Sequence, residues 1–326
     1  MLITRTPLRV SIGGGGTDLP SFYRRRGGFV ISAAINKYMF IGVNRTFTDD
    51  YLLKYSSLER VKGVDEIEHA IIREVLTAQA IAPGIEIVSI ADIPSGTGLG
   101  SSGAFTVGLL RAIYALERKH ITASQLAEDA AHVEIDLLGE PVGKQDQYIA
   151  AYGGLTCFEF HADDRVTVTP LAVTQETLHR LEEHLLLFFT GYARPASTIL
   201  GDQQAKTEQE DADMLDNLQQ TKDLGLHIRD LLERGETEEF GRLMHDHWMR
   251  KRVRSSGMSN PDIDRWYEKA LANGAIGGKL VGAGTGGFLL FYASDAAALR
   301  KAMGEEGLVE TRFQFDLDGS TVLVRD

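Results

Sequence analysis

A glycine-rich loop in the middle of the chain, residues 94–104, has the composition of an anion-binding site. Three of its glycines alternate with other residues: Gly96, Gly98 and Gly100. Glycine permits positive φ angles, so successive N–H groups can point into one concavity, and a helix predicted over residues 105–116 adds the partial positive charge of its N-terminus. Phosphate is the anion that such a cradle commonly binds. The alternative is a plain tight turn in which Ser101 or Ser102 caps the helix.

Two carboxylates downstream of this loop could bind a metal or move a proton. Glu134 interrupts the apolar stripe of a helix predicted over Ala123–Leu138, and a carboxylate left dry and unpaired on a buried face costs several kcal/mol. Its partner is either an Arg or Lys side chain or a bound Mg²⁺ ion. Asp146 follows a predicted break at Gly139–Gly143, where it is either a helix cap or a second carboxylate brought back to the same site.

A second glycine run lies nearer the N-terminus. Four consecutive glycines, residues 13–16, end a strand predicted over Leu2–Ile12, which indicates a sharp turn or a backbone that must approach a ligand closely. Asp18 then has two interpretations. It caps a short helix over Leu19–Arg26, or it accepts hydrogen bonds from sugar hydroxyls at the mouth of the loop.

A third glycine-rich segment, residues 282–287, has the spacing G-x-G-x-x-G. An apolar strand follows it where a dinucleotide-binding fingerprint needs a helix, so that interpretation fails. Gly278–Lys279 is not part of a Walker loop either, because Asn273 stands at the required earlier glycine and Leu280 replaces Ser or Thr. The segment is therefore predicted as a glycine turn between two strands, where another backbone or a phosphate can approach closely.

Basic residues gather at the end of a polar helix predicted over Thr237–Val253. The cluster comprises Arg250, Lys251, Arg252 and Arg254. Cations near a helix C-terminus are favourable for dipole reasons alone, and the alternative is that they bind an anionic group of the substrate. His245 and His247, two residues apart, do not share a helix face, which argues against a metal pair.

Strands and helices are predicted along the rest of the chain. Strands are predicted over Phe29–Ile35, Tyr38–Arg45, Tyr51–Tyr55, Leu155–Phe160 and Val166–Pro170, and near Leu185–Phe189, Leu308–Phe313 and Thr321–Val324. Helices are predicted over Asp65–Ala80, Gln175–Glu183, Thr207–Glu233 and Ala296–Met303. The 326 residues suffice for about two domains, and a change in composition puts the boundary at the helix over Gln175–Glu183.

Composition and charge exclude several classes of function. A net charge of −12 disfavours nucleic-acid and anionic-membrane partners, since both are bound mainly through accumulated Lys and Arg. The single cysteine, Cys157, excludes an internal disulfide and a multi-cysteine zinc site. Charge at Arg5 comes too early for a signal peptide, and no apolar run approaches the roughly 20 residues that span a bilayer. We expect a cytoplasmic protein that acts on small molecules, of unspecified oligomeric state.

The three glycine-rich segments, in this order, resemble those of the GHMP small-molecule kinases, and the likeness extends over essentially the whole chain. Residues 94–102, PSGTGLGSS, are similar to the phosphate loop of that superfamily, and residues 282–287, GAGTGG, to its third motif. The resemblance implies an α+β fold of two domains. Residues 1–183 would form a ribosomal-protein-S5-like domain, and residues 184–326 a ferredoxin-like domain with extra helices.

Within the superfamily, residues 6–20, 143–148 and 247–261 look like signatures of the branch that acts on D-glycero-D-manno-heptose 7-phosphate. Glycines replace the Gly-Glu-His or Gly-Glu-Asn that many members carry before Thr-Asp, which is a departure from the galactokinase pattern. The resemblance implies transfer of the ATP γ-phosphate to the anomeric hydroxyl, giving a heptose 1,7-bisphosphate for nucleotide-activated heptose and surface polysaccharide. The alternatives are a sugar-1-kinase for fucose, galactose or a related hexose, and a non-catalytic regulator that binds sugar and ATP.

The resemblance also assigns roles to residues. Asp146 would be the catalytic base, Arg9 would stabilise its carboxylate and the developing negative charge, and Ser102 and Glu134 would hold Mg²⁺. The phosphates of ATP would be bound by Pro94, Gly96, Thr97, Gly98, Leu99, Gly100, Ser101, Ser102 and Gly103. The sugar would be bound by Gly15, Gly16, Thr17, Asp18 and Gly284, and its phosphate by Arg250, Lys251 or Arg252.

Overall fold

The computed structural model of the chain describes residues 1–191, 197–255, 257–282, 284 and 286–325. Ala283 and Thr285 of the third glycine-rich segment lie outside the described residues. The strands are β1 (Leu2–Gly13), β2 (Gly28–Arg45), β3 (Tyr51–Lys54), β4 (Leu58–Val61), β5 (Ile85–Ala91), β6 (Leu155–Phe160), β7 (Val166–Pro170), β8 (Leu185–Phe189), β9 (Ala275–Leu280), β10 (Phe288–Ala293), β11 (Val309–Glu310) and β12 (Thr321–Arg325).

Helices cover both sheets. They are α1 (Pro20–Arg26), α2 (Ala70–Ala78), α3 (Ser101–Leu116), α4 (Ala123–Ala131), α5 (Gln145–Tyr152), α6 (Gln175–His184), α7 (Ser197–Glu208), α8 (Ala212–Glu233), α9 (Thr237–Lys251), α10 (Pro261–Leu271) and α11 (Ala296–Glu305). A 3₁₀ turn over Val64–Glu66 precedes α2, and a π-helical turn over His132–Leu137 continues α4. None of the helices in the described residues is both long and apolar enough to cross a membrane.

The long strand β2 is the centre of the first sheet. Its first half pairs with β6, its second half with β5, and β1 pairs along most of its length. The order is β12-β1-β2-β5-β3-β4, with β6 and β7 extending the sheet from the first half of β2. The prediction of two separate strands here is wrong, because the backbone stays extended through Asn36 and Lys37, the polar residues that interrupt the apolar alternation.

The second sheet has the order β11-β8-β10-β9, with all neighbours antiparallel. Along the chain its elements read β-α-β-β-α-β, with four helices between β8 and β9 and α11 between β10 and β11. This is the pattern of a ferredoxin-like unit with extra helices, so the α+β, two-domain fold is confirmed. The chain then returns to the first sheet, where β12 pairs with β1. The division at residues 183 and 184 stays a prediction.

Two large apolar cores lie against the sheets. The first joins the sheet formed around β2 to α3, whose side chains are buried on nearly every face, as predicted for the helix after the glycine loop. The second lies beside the four-stranded sheet and contains Trp248 of α9, Trp266 and Tyr267 of α10, and Leu299 of α11. The cavity that holds the candidate site lies where the glycine loop after β5 packs against the glycine turn between β9 and β10.

Two predicted helices are shorter than expected because capping side chains start them later. The Nδ1 atom of His69 accepts a hydrogen bond from the Ile72 N–H, which begins α2 at Ala70 instead of Asp65. Asp211 accepts from the Met214 N–H, which separates α7 from α8 inside the single helix predicted over Thr207–Glu233. Elements that the sequence did not predict include β4, α10 and all of α7 before Thr207.

Candidate active site

The glycine loop connects β5 to α3 and has the left-handed backbone that its sequence predicts. The φ angles of Gly96, Gly98 and Gly100 are 75°, 84° and 75°. Gly100 is the N-cap of α3 and supplies no side-chain hydrogen bond, so the alternative in which Ser101 or Ser102 caps the helix is wrong. The first-turn N–H groups of α3 therefore have no side-chain cap and can bind an anion.

The loop packs directly against the third glycine-rich segment. A Cβ atom at Gly98 would lie 2.6 Å from the carbonyl oxygen of Val281, and one at Gly287 would lie 2.0 Å from that of Thr97. Only glycine permits two backbones to approach this closely. Gly284 makes a similar approach farther along the turn, where a Cβ would lie 2.9 Å from Cγ of Met258. The third segment thus fixes the position of the loop.

Arg9 and Asp146 form a bidentate ion pair beside the loop. Arg9 projects from β1, and Asp146 lies in the first turn of α5. Nε of Arg9 donates to Oδ1 of Asp146 at 2.8 Å, and Nη2 donates to Oδ2 at 2.9 Å. Nη1 of the same guanidinium donates to the Gly98 carbonyl, and the Arg9 backbone N–H donates to the Leu99 carbonyl at 3.0 Å. The carboxylate is thereby held at the edge of the glycine loop. The helix-cap interpretation of Asp146 is wrong, because the N-cap of α5 is Lys144.

Glu134 is 2% exposed, and its carboxylate faces the start of α3. The Ser102 hydroxyl donates to Oε2, and Nε2 of Gln147 donates to Oε1 at 3.0 Å. Among the described residues Glu134 has no cationic partner, so the salt-bridge alternative is not supported. Burial raises the pKa of Glu134, and the two donors oppose that effect in part. An ion bound here would replace the missing positive charge.

The Asp18 carboxylate bridges the glycine run of residues 13–16 and the start of α5. Its Oδ1 accepts from the Gly16 N–H at 3.1 Å, and its Oδ2 accepts from the Gln145 N–H at 3.0 Å. Its side chain does not cap α1, whose N-cap is Leu19, so that alternative is wrong. Burial raises the pKa of Asp18. Gly15, Gly16 and Asp18 line the cavity, whereas Thr17 is fully buried and its hydroxyl donates to backbone carbonyls.

The residues of the predicted basic cluster do not all face the cavity. Arg250 is exposed and donates to Gln220, and Arg252 forms an ion pair with Asp264 at 2.9 Å. Neither lines the cavity. Lys251 does, and its Nζ donates to the Leu280 carbonyl at 2.9 Å and to the Gly282 carbonyl.

The cavity also contains His247 and Lys279, which were given no role from the sequence, and Arg254, the fourth member of the predicted basic cluster. Burial and neighbouring positive charges lower the pKa values of His247 and Lys251 well below their usual range, and lower that of Lys279 to about 7. Burial also lowers the pKa of Arg254 to about 10. Helical spacing is the signal that could have identified His247, because His247 and Lys251 continue the buried stripe of α9 that contains Phe240 and Met244.

One cavity of about 500 Å³ collects these groups, a volume typical of small-ligand sites. It is lined by the glycine loop, by the carboxylates of Asp18, Glu134 and Asp146, and by the cations of α9 and β9. Among the described residues no cluster of three or more His, Cys, Asp or Glu side chains could hold a metal alone. A cradle for phosphates, an arginine-held carboxylate and a second, buried carboxylate can together serve phosphoryl transfer.

Comparison with known families gives two matches in the order of the chain. The family model described as "GHMP kinases N terminal domain" matches residues 64–154, which include the glycine loop, Glu134 and Asp146. The model described as "GHMP kinases C terminal" matches residues 228–308, which include α9 and the third glycine-rich segment.

Individual relatives include sugar kinases. D-glycero-alpha-D-manno-heptose 7-phosphate kinase of Campylobacter jejuni is 30% identical, over 97% of this chain and 97% of the relative. The bifunctional fucokinase/GDP-fucose pyrophosphorylase of Arabidopsis thaliana is 25% identical, over 95% of this chain and 31% of the relative. Among solved structures, a D-glycero-D-manno-heptose 1-phosphate kinase from Bacteriodes thetaiotaomicron superposes with a TM-score of 0.80 at 23% identity, covering all of both chains. That last likeness concerns the fold.

Proposed function

The chain belongs to the GHMP kinase family and is an ATP-dependent phosphotransferase that acts on a sugar, and from that premise we propose that its acceptor is D-glycero-D-manno-heptose 7-phosphate. The product would be the heptose 1,7-bisphosphate, formed at the anomeric hydroxyl, which supplies nucleotide-activated heptose for surface polysaccharide. One observation carries the reaction type: the Asp146 carboxylate, held by Arg9, shares a cavity with the phosphate loop and with Asp18. The similarity to the Campylobacter kinase supports the choice of sugar.

We assign the phosphates of ATP to the loop between β5 and α3. The backbone N–H groups of residues 96–102 and the N-terminus of α3 supply fixed partial positive charges, and no protein anion of the loop competes for them. The side chain of Thr97 is not available, because it is buried and its hydroxyl donates to the Pro94 carbonyl at 3.0 Å. Leu99 is buried in the core. Thr97 and Leu99 would therefore contribute only their backbone groups to phosphate binding, while their side chains hold the loop in place.

The residues present fit a Mg²⁺ ion. The Ser102 hydroxyl and the Glu134 carboxylate are hard oxygen donors in contact with each other, and Glu134 is a buried carboxylate without a cationic partner among the described residues. Mg²⁺ is commonly bound by one or two protein oxygens together with substrate phosphates and water, so a larger protein cluster is not needed. When bound, the ion would neutralise charge on the phosphates of ATP.

Asp146 has the position of the base that takes the proton of the attacking hydroxyl. Its oxygens each accept one hydrogen bond from Arg9 and keep a further lone pair for a substrate hydroxyl. Arg9 keeps the carboxylate oriented and bears the positive charge that opposes the negative charge developing between sugar and phosphate. Asp18, clamped to Gly16 and to the start of α5, is placed to orient another sugar hydroxyl.

ADP release tests the proposal. The purified protein is incubated with Mg-ATP and, separately, with heptose 7-phosphate, the unphosphorylated heptose, fucose, galactose and mevalonate. We expect the highest kcat/KM with heptose 7-phosphate and a product phosphorylated at the anomeric carbon. Preference for fucose or galactose would overturn the choice of acceptor in favour of the other sugar-1-kinases, for which the fucokinase relative is the supporting observation. The non-catalytic alternative predicts loss of the base or of the metal ligand, and both residues are present.

The location of the reaction is also a proposal. ATP as substrate and a single buried thiol, Cys157, are typical of the reducing cytoplasm. We therefore place the enzyme there.

A further inference from the structure

Four side chains that line the cavity have no role in the chemistry described above. His247 and Lys251 come from α9, Arg254 from the turn that follows it, and Lys279 from β9. All four are at most 8% exposed. Three cationic side chains from separate segments thus converge in a buried space, although burial of like charges side by side is costly.

The cations of this group are not neutralised by protein carboxylates. Nζ of Lys251 donates to the Leu280 and Gly282 carbonyls, and Nζ of Lys279 donates to the Ile12 carbonyl at 2.8 Å. Arg254 donates to Asn217 at 2.8 Å, to Thr221 at 2.7 Å and to the Gly15 carbonyl at 3.3 Å. Within the described residues none of the three forms an ion pair. Burial lowers the pKa of Arg254, and the Asp18 carboxylate lies close enough to oppose that effect in part without forming an ion pair with it. The three side chains therefore remain available to an anionic ligand.

His247 is the second, independent sign of a missing ligand. It is 2% exposed, it lines the same cavity, and neither Nδ1 nor Nε2 has a hydrogen-bond partner in the part of the chain that the structure describes. A buried polar group without a partner costs about 1–3 kcal/mol. A neutral imidazole has one N–H to donate, which is the group that a phosphate oxygen accepts.

We propose that His247, Lys251, Arg254 and Lys279 form the subsite for a phosphate monoester carried by the acceptor sugar. This inference rests on the proposed function, because it names where that sugar's own phosphate would bind. A dianion with three terminal oxygens matches the Arg254 guanidinium, a neutral imidazole donor and two lysines that a bound anion would keep protonated, and it does so better than a single carboxylate.

The location favours the acceptor's phosphate over the phosphates of ATP. Arg254 donates to the Gly15 carbonyl, within the glycine run of residues 13–16, and Lys279 donates to the Ile12 carbonyl just before that run. The Gly16 N–H of the same run donates to Asp18. The phosphates of ATP have a separate cradle at the start of α3. The subsite would also explain why the exposed Arg250 and the half-buried Arg252, directed to Gln220 and Asp264, are not needed for substrate phosphate.

Equilibrium binding without turnover tests the subsite. Calorimetric titrations measure the affinity for inorganic phosphate, heptose 7-phosphate, the unphosphorylated heptose and a non-hydrolysable ATP analogue. The variants are His247→Leu, Lys279→Met and Arg254→Gln, and the matched control is Arg250→Gln, which removes an exposed charge from the same basic run. We expect each cavity variant to lose about 10- to 100-fold in affinity for phosphate and heptose 7-phosphate. Affinities for heptose and the ATP analogue should change less than about threefold, and Arg250→Gln should match the wild type.

Protein folding is monitored by thermal melting. His247→Leu is the variant least expected to unfold, because it replaces a ring without hydrogen bonds by an apolar side chain of similar volume on a helix. Equal losses for phosphate and for the ATP analogue would overturn the subsite and assign the cluster to the nucleotide. Unchanged phosphate binding in His247→Leu and Lys279→Met would also overturn it.

The titrations, taken together with the ADP-release assay, separate this inference from the proposed function. A wild-type protein that phosphorylates only unphosphorylated sugars, with no competition by inorganic phosphate, would overturn the subsite and leave a sugar kinase. The opposite result is that the wild type releases no ADP with any sugar on the panel, while the cavity variants bind phosphate more weakly than the wild type. That result would overturn the proposed acceptor and support the anion subsite.

Discussion

Arg9 connects the glycine loop between β5 and α3 to the Asp146 carboxylate through a single guanidinium. Two of its nitrogens bind the carboxylate, at 2.8 and 2.9 Å, and the third binds the Gly98 carbonyl. The position of the proposed base therefore depends on the conformation of the loop, and the loop in turn packs on the Val281 backbone. Substitutions at each of these contacts give separate predictions.

Asp146→Asn removes the basic oxygen and keeps the shape of the side chain. We expect kcat to fall by about 10²- to 10⁴-fold, the usual contribution of a general base, with a much smaller change in the affinity for ATP. ADP release at saturating substrate measures the first quantity, and titration with an ATP analogue measures the second. Asp163→Asn, an exposed carboxylate in the turn after β6, is the control. Near-normal turnover of Asp146→Asn would mean that another group takes the proton.

Glu134→Gln separates metal binding from folding. Burial raises the pKa of Glu134, so a neutral amide at this position should leave the metal-free protein as stable as the wild type or more stable. Loss of the ligand should raise the Mg²⁺ concentration for half-maximal turnover by at least about 10-fold, since even outer partners of a metal site contribute about 10- to 100-fold. Thermal melting in a chelator and Mg²⁺ titration of turnover check the two parts. Asp136→Asn, exposed in the same π-helical turn, should change neither, and a low melting temperature for Glu134→Gln would indicate a purely structural carboxylate.

Gly98→Ala introduces a Cβ into the contact between the two glycine segments. The φ angle of 84° and the 2.6 Å approach to the Val281 oxygen both oppose it, and we expect a loss of about 2–4 kcal/mol in the free energy of unfolding, together with weaker ATP binding. Gly139→Ala is a matched control, because its φ of 67° is also positive and no atom lies within 4 Å of the new Cβ. It should lose about 1–2 kcal/mol and retain ATP binding. Denaturant unfolding of the two variants measures the difference. Equal losses would show that the close contact between Gly98 and Val281 does not add to the cost of the substitution.

Lys279 should make stability depend on pH. Its pKa is about 7 in the native protein, against ~10.4 for a lysine in an unfolded chain. Between these values unfolding takes up a proton, so a rise in pH stabilises the native state, by up to about 1.4 kcal/mol per pH unit from this group. The Lys279→Met variant lacks the group. Its advantage over the wild type in the free energy of unfolding should therefore shrink from about pH 7.5 to about pH 9.5, and a difference that is constant over this range would contradict the lowered pKa of Lys279.

The local parts of the site could be predicted from the sequence. The glycine pattern predicted the left-handed loop before α3, and the apolar stripe around Glu134 correctly indicated a buried carboxylate, although the backbone there forms a π-helical turn. Helical spacing could also have shown which residues of the basic cluster are buried. Lys251 continues the buried face of α9 that includes Met244 and His247, whereas Arg250 and Arg252 fall off that face.

The remaining parts depend on contacts between distant segments. No local pattern brings Lys279 to the Ile12 carbonyl or Arg254 to Gly15, because these pairs are joined only when the two sheets meet. Asp18 and Asp146 each matched a helix-cap pattern, and only their long-range partners, Gln145 and Arg9, show that the carboxylates are used elsewhere.

The pairing of β12 with β1 has a consequence for the order in which the protein can be completed. Residues 321–325 occupy the outer edge of the strand that carries Arg9. During synthesis from the N-terminus, the ribosome releases β1 first and β12 more than 300 residues later. Until then β1 has one unpaired edge, on which another nascent chain could add a strand. The sheet that orients Arg9 is thus finished only after the second, ferredoxin-like unit has been made.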